Sequence, residues 1–424
     1  MSELIVRGWQ ARLYSTQAQA SRLNQWAGSL RFLWNRLLDR EKAEYQATGK
    51  FIWHKQLQPF AVGMKRQSGL EWLVGLPAHA VLDTVARLDG ALRRMVSERK
   101  AGRKCGFPRG RKKFVNEAGI YCVGQASEIG NGEAVLPKIG RVRLAGGDVP
   151  KGRLLAARIW RDSDRWMISA QFECARPEPL PASDVVIGVD LGVSTLVTAF
   201  DGDDFEEWTA PKHLRRAQRR LRRAQRALSR RKKGSAPRSG QARRVAAIHR
   251  KVRNRRTDLL HQISHRLTAK VGVLKVETLN VRCMARNRHL AMSVADAGMS
   301  RLVTFCRYKA DWRGRTMVDL DPWFSGSQTC SECGALRPEM KQLSRREIVC
   351  GCGNRMDRDH NAAVNHQRYP EERENRAGNS PTLVEIAGQG FGPVPVGEAR
   401  IPTSTVTGPR KSVIPRCSTR RSSR

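Results

Sequence analysis

The second half of the chain reads as an α/β domain. The first half reads as a small barrel or sandwich of short strands, interrupted by helices. Three observations predict this. Two apolar runs, 185–191 and 271–276, are each closed by an acid and are separated by long helical stretches, the pattern of buried strands alternating with helices. Short β-like runs with turn signals recur at 120–123, 135–137, 142–144, 155–160 and 166–172, as in a small barrel or sandwich. Four cysteines cluster near residue 340, the mark of a small metal-bound element.

Composition narrows the function. The chain has 424 residues, 40% of them hydrophobic, enough for two or three domains with real cores. The formal net charge is +39; such an excess repels itself unless a polyanion neutralises it. Nucleic acid is the first candidate partner and an anionic membrane the second. No apolar run approaches a spanning helix and no signal peptide opens the chain, so a soluble, cytoplasmic protein associated with the nucleoid is expected, with no membrane partner. Six of the ten cysteines are scattered singly, which excludes a disulfide framework.

In order, residues 3–14 alternate and predict a strand. Ser15-Thr16 then caps a helix running to about 46, with Leu23, Trp26, Leu30, Leu33 and Leu37 at core spacing. Another helix is expected over 78–97. The stretch from 99 is basic and Gly-rich, suited to following phosphates or to a mobile loop. Residues 176–184 read as a linker. From 213 to 269 two long helices are joined at 234–237. No acid occurs from Arg215 to Arg256, while Leu214, Leu221 and Leu228 recur every seven residues as a thin apolar seam. A solvated face would explain this, but so one-sided a charge favours a track for phosphates, carried by Arg215, Arg216, Arg219, Arg220, Arg222, Arg223, Arg230, Arg231, Lys232 and Lys233. A helix at 292–312 and a strand at 316–320 follow. Residues beyond 368 lack any period and are expected to be disordered.

Cys330, Cys333, Cys350 and Cys352 stand as C-x2-C and C-x-C across a 16-residue gap. Four thiolates on two turns can hold tetrahedral Zn²⁺; buried structural thiols are the plainer alternative. Directly after them come Asp357 and Asp359, ahead of an Ala-rich helix. Asp190 and Glu277 end the two apolar strands, at the sheet edge where sites form. Three converging carboxylates need countercharge, which two Mg²⁺ ions would supply while clamping a phosphodiester.

At these residues the chain resembles a known family. GVDLG at 188–192, VETLN at 276–280 and DRDHNAA at 357–363 are similar to the three split RuvC motifs of transposon-encoded TnpB (OrfB) nucleases. SQTCSECG at 327–334 and CGCG at 350–353 are similar to their zinc module, and the resemblance extends over about 1–368. It implies an α/β RNase H-like (RuvC) nuclease domain, a β-barrel wedge domain, an inserted helical recognition lobe and a zinc-ribbon-like insertion. The implied layout is wedge barrel at 1–14 and 99–180, recognition lobe at 15–98, and nuclease domain with its Arg-rich hairpin at 181–326. The zinc element would occupy 327–356, the third RuvC motif 357–368, and a disordered basic tail 369–424. It also implies a guide RNA, target double-stranded DNA beside a short adjacent motif, Asp190, Glu277 and Asp359 as the magnesium triad, a lesser role for Asp357, and His79, Asp83 and Arg87 as readers of that motif.

Other readings share parts of this pattern. A compact type V CRISPR effector has the same motifs. A nuclease-inactive RNA-guided repressor would lack the acids, and a strand-joining transposase would use the same two-metal chemistry. A generic RNA-binding protein explains the charge alone.

Overall fold

The computed structural model describes residues 3–113, 119–130, 132–145 and 147–370. The chain opens with β1 (Leu4–Tyr14), α1 (Gln17–Thr48), α2 (His54–Gly63) and α3 (Ala78–Lys100). Six strands follow: β2 (Ile120–Val123), β3 (Glu128–Gly130), β4 (Glu133–Leu136), β5 (Gly140–Leu144), β6 (Arg153–Asp162) and β7 (Arg165–Ala175). Next are β8 (Val186–Asp190), β9 (Thr195–Phe200), β10 (Phe205–Thr209), α4 (His213–Ser229), α5 (Ala236–Lys270) and β11 (Val273–Val276). The chain continues through α6 (Val281–Met284), α7 (Ala291–Ala297), α8 (Met299–Trp312) and β12 (Thr316–Asp319). It ends in β13 (Glu347–Val349), β14 (Arg355–Asp357) and α9 (Arg358–Gln367).

β1 joins six later strands in one sheet of order β2-β6-β7-β1-β5-β4-β3. Its edges, β2 and β3, are consecutive in sequence with only residues 124–127 between them. That link spans at most ~18 Å, whereas seven flat strands would part the edges by ~29 Å. The sheet must therefore curl into a barrel. Gly124 permits the turn, since a Cβ there would lie 1.9 Å from the Leu154 carbonyl oxygen. Helices α1, α2 and α3 leave and re-enter this barrel and share one core with it, built on Leu23, Leu30, Leu33, Leu88 and Leu92.

The second sheet runs β10-β9-β8-β11-β12. β8 pairs antiparallel with β9 and parallel with β11, and β11 pairs parallel with β12. Ile187 and Val189 face a core formed with α5 and α8. The alternate residue Gly188 faces α9, where a Cβ would lie 2.2 Å from the Ala363 carbonyl oxygen. A helix can therefore lie directly on the strand. Lys275, Gly188's partner in register, is buried on that same face and donates to the Tyr369 carbonyl at 2.6 Å.

Some sequence expectations shift. The helix expected at 292–312 is two helices, broken at Gly298 with φ +73°. Gly-rich 99–113 is not wholly a phosphate-follower or a mobile loop: Arg111 is buried, 3.7 Å above the Trp34 ring, with its backbone held at both ends by Asn35. The tail boundary also moves. Tyr369 is buried and packs edge-on against Phe324, so it belongs to the folded part, while 371–424 lies outside the described residues.

Candidate active site and metal centre

β8 and β11 run side by side and end together, so Asp190 and Glu277 emerge as neighbours at one sheet edge. Glu277 Oε1 accepts the Leu191 N–H at 2.7 Å, fixing its carboxylate beside the Asp190 strand end. Thr278 donates its hydroxyl to the Leu320 carbonyl at 2.6 Å, tying the ends of β11 and β12. Asp359 arrives from the first turn of α9, whose N-terminal dipole favours an anion. Asp357 is the N-cap of that helix, accepting the Asp359 N–H at 2.7 Å; its part is to start α9.

The trio is electrostatically crowded. Burial, then Glu277 and Asp359, raise the Asp190 carboxyl well above its ordinary range. Burial pushes Glu277 up to about 7, against the pull of the Leu191 N–H. Arg346 forms an ion pair with Asp359 from outside the sheet. Three oxygen-donor groups with too little countercharge suit a hard divalent cation.

The zinc-type element is more compact. Cys330 Sγ lies 3.7 Å from Cys352 Sγ, and Cys333 Sγ lies 3.5 Å from Cys350 Sγ. All four sulfurs fall within 4.8 Å of one another, the one His/Cys/Asp/Glu group of this tightness among the described residues. These separations match the ~3.8 Å edge of a tetrahedron with ~2.3 Å metal–sulfur bonds. The short C-x-C spacing closes because Gly353, at φ +94°, turns its N–H back to the Cys350 carbonyl at 3.0 Å. The Cys352 backbone N–H, then the Arg337 guanidinium at 2.9 Å, hold the Cys350 thiol down at about 6.

Two asparagines join the centres. Asn361 accepts the Ser331 N–H at 2.9 Å and donates to the Thr329 carbonyl at 2.7 Å, while Asn365 donates to the Thr329 and Gly326 carbonyls. The cysteine turn is thus bolted to the helix carrying Asp359. His366 sits beneath, buried, its Nδ1–H donating to the Val189 carbonyl at 2.9 Å and its pKa lowered to about 4 by burial. It stays neutral and structural. Asn361, Asn365, His366 and Arg346 were not singled out from sequence. The HNAAVNH run at 360–366 has no apolar period to reveal the first three.

The cationic residues expected to form a track lie on α4 and in the turn that follows it. Arg215, Arg216, Arg219, Arg220, Arg222, Arg223, Arg230, Arg231, Lys232 and Lys233 are all exposed. The seam of Leu221 and Ala224 packs on Ile248 of α5. Asp296 accepts the Leu214 N–H at 2.8 Å and anchors the start of α4. Of the three residues on α3, His79 is exposed, but Asp83 is bound bidentately by Arg158 of β6 at 2.7 and 3.3 Å. Arg87 is held below its usual range by burial and by Arg158. Asp83 therefore anchors an arginine cluster instead of presenting a free carboxylate.

A family model described as "Probable transposase" (OrfB_IS605) matches residues 169–288, the span holding Asp190 and Glu277. One described as "Cas12f1-like, TNB domain" matches 300–366, the span holding the four cysteines and Asp359. A Streptomyces pristinaespiralis protein named "Putative RNA-guided DNA endonuclease" is 31% identical over 370 residues, covering 86% of this chain and 89% of its own length. The chain belongs to the TnpB (OrfB) family. A second relative, from Escherichia coli (strain K12) and named with the suffix InsQ, is 28% identical over 78% of this chain and 84% of its own. Among solved structures, a Cas12f1–sgRNA–target DNA complex aligns with TM-score 0.50 and 12% identity, over 86% of this chain and 99% of that one, a likeness of fold. A further model, "Helix-turn-helix domain", matches 1–50. In this family member that span is one strand and one unbroken 32-residue helix.

Proposed function

We propose that this TnpB-family chain is a transposon RNA-guided DNA endonuclease that hydrolyses target DNA beside a short adjacent motif. The carrying observation is the convergence of Asp190, Glu277 and Asp359 at the shared end of β8 and β11 and the start of α9. The strand order, 3-2-1-4-5 when the five strands are numbered along the chain, supports an RNase H-like nuclease domain. The curled seven-stranded sheet supports the wedge, and α1 to α3 the recognition lobe.

Asp190, Glu277 and Asp359 would hold magnesium, two ions on this reading. When bound, such ions activate water and stabilise the leaving oxygen. The chain's own residues do the rest. The Leu191 N–H and Arg346 orient Glu277 and Asp359, and Asp357 and Gly188 set the helix that delivers Asp359 to the Asp190 strand end. The thiolate cluster would hold one structural zinc and fix α9 through Asn361. The exposed hairpin would carry guide and target phosphates. His79 and Arg87 would meet the adjacent-motif duplex, with Asp83 holding Arg158 in place. Base pairing with the guide would read the sequence and the protein would read backbone and motif.

The test pairs two measurements. RNA recovered with protein purified from its native locus should include one defined species. With that RNA and Mg²⁺, Asp190→Ala should cut more than ~1,000-fold more slowly while binding DNA equally well. Cutting retained by Asp190→Ala would refute the assignment.

A further inference from the structure

A cavity of about 480 Å³ opens where the end of β1 meets the start of α1, against β5 and β7. Its size lies in the range of small-molecule sites, ~300–1,000 Å³. Arg12, Arg143 and Arg165 line it. None of the three has an ion-pair partner among the described residues, and the Nε atoms of Arg12 and Arg165 are buried without any hydrogen-bond acceptor. Buried cationic donors left unsatisfied are costly. The acid on the cavity wall, Asp164, is already bound by Arg250. The N-terminus of the 32-residue α1, with no acid in its first turn, adds its positive dipole end at Thr16 and Gln19. Gln19 Nε2 ties that turn to the Arg141 carbonyl at 2.8 Å, so the cavity is braced. Tyr14 stands on the wall, 44% exposed, one face covered by Arg12 at 4.6 Å.

From these groups we propose that the cavity is a single-nucleotide subsite. Arg12, Arg143 and Arg165 clamp one phosphodiester of a single-stranded segment, and its base stacks on the open side of Tyr14. The shared chemistry is a nucleotide within a strand; guide RNA or displaced DNA could supply it. The subsite rests on reading the chain as nucleic-acid-binding, but not on its cleaving anything. Its lining includes none of the carboxylate trio and none of the exposed residues from Arg215 to Lys233.

Binding is measured on full-length Asp190→Ala protein, so that cutting plays no part. The probes are ten-nucleotide oligouridylate RNA and oligothymidylate DNA, each also carrying one photoreactive base (4-thiouracil or 5-iodouracil). The RNA probe, the DNA probe, or both should cross-link to Tyr14, and the probe that does so identifies the occupant. For that probe, Arg143→Gln should weaken binding about 5- to 10-fold and reduce the slope of log affinity against log salt by about 0.7. Arg143→Lys should restore most of the affinity. Tyr14→Ala should cost about 10-fold. Cross-links confined to other segments, together with an unchanged salt slope in Arg143→Gln, would overturn the subsite. Because the cross-link needs no substitution at the cavity, misfolding of a variant cannot mask that result. Failure of the wild-type protein to cut DNA would instead count against the nuclease reading alone.

Discussion

The molecule gathers like-charged donors in two places, and it does so differently. The four sulfurs come from two tight turns of one small element and already lie within 4.8 Å of each other. The three carboxylates come from the ends of two strands and the first turn of a helix. A soft site for one ion can be closed locally by turn geometry. A site for a pair of ions ~4 Å apart must be wider, and only the whole sheet can set its width. The first centre is therefore a property of a segment, and the second a property of the fold.

This contrast can be broken from either side. Gly188→Ala should strike the carboxylate site alone. Its Cβ meets backbone, not a flexible side chain, so α9 must move. A misplacement of ~1 Å should cost about 100-fold in cutting, with zinc content by metal analysis unchanged. Cys330→Ser should do the reverse first: zinc is lost, and cutting then falls about 10-fold or more as α9 loses its brace, while the barrel core keeps its heat stability. Retained zinc would contradict the ligand set.

Asn361→Ala tests the bolt between the centres. It leaves the buried Ser331 N–H without an acceptor, a loss of ~1–3 kcal/mol visible in thermal unfolding, with DNA binding intact. The smallest effect is on pH. Glu277's carboxyl rises from 4.5 to about 7 on folding. Its contribution to stability is thus complete below about pH 4.5 and lost as pH climbs through 7. Metal-free protein should melt at lower temperature at pH 8 than at pH 5. Added Mg²⁺ should flatten that trend, and an equal slope with and without Mg²⁺ would argue against the carboxylates as its ligands.

What the sequence revealed follows the same division. β8 and β11 were legible because continuous apolar runs announce strands buried on both faces. The cysteines were legible by spacing. β10 was not: its FEEWT run puts two acids in the middle of a short edge strand. The break at Gly298 was hidden inside an unbroken apolar period. The tie between Asp83 and Arg158 was not legible, because the two are 75 residues apart. Asn361 and Arg346 act only through tertiary neighbours, which no local pattern encodes.

β1 has a last consequence. It precedes both of its sheet neighbours by more than a hundred residues, yet it lies mid-sheet between β5 and β7. Its ladder partner on one side reaches to Ala175. During synthesis, about 160 residues must be made before that edge is covered, while α1 to α3 can already collapse upon one another. The nascent chain thus carries an open β edge for much of its translation, and its yield in cells should depend on how quickly ribosomes traverse the segment up to β7.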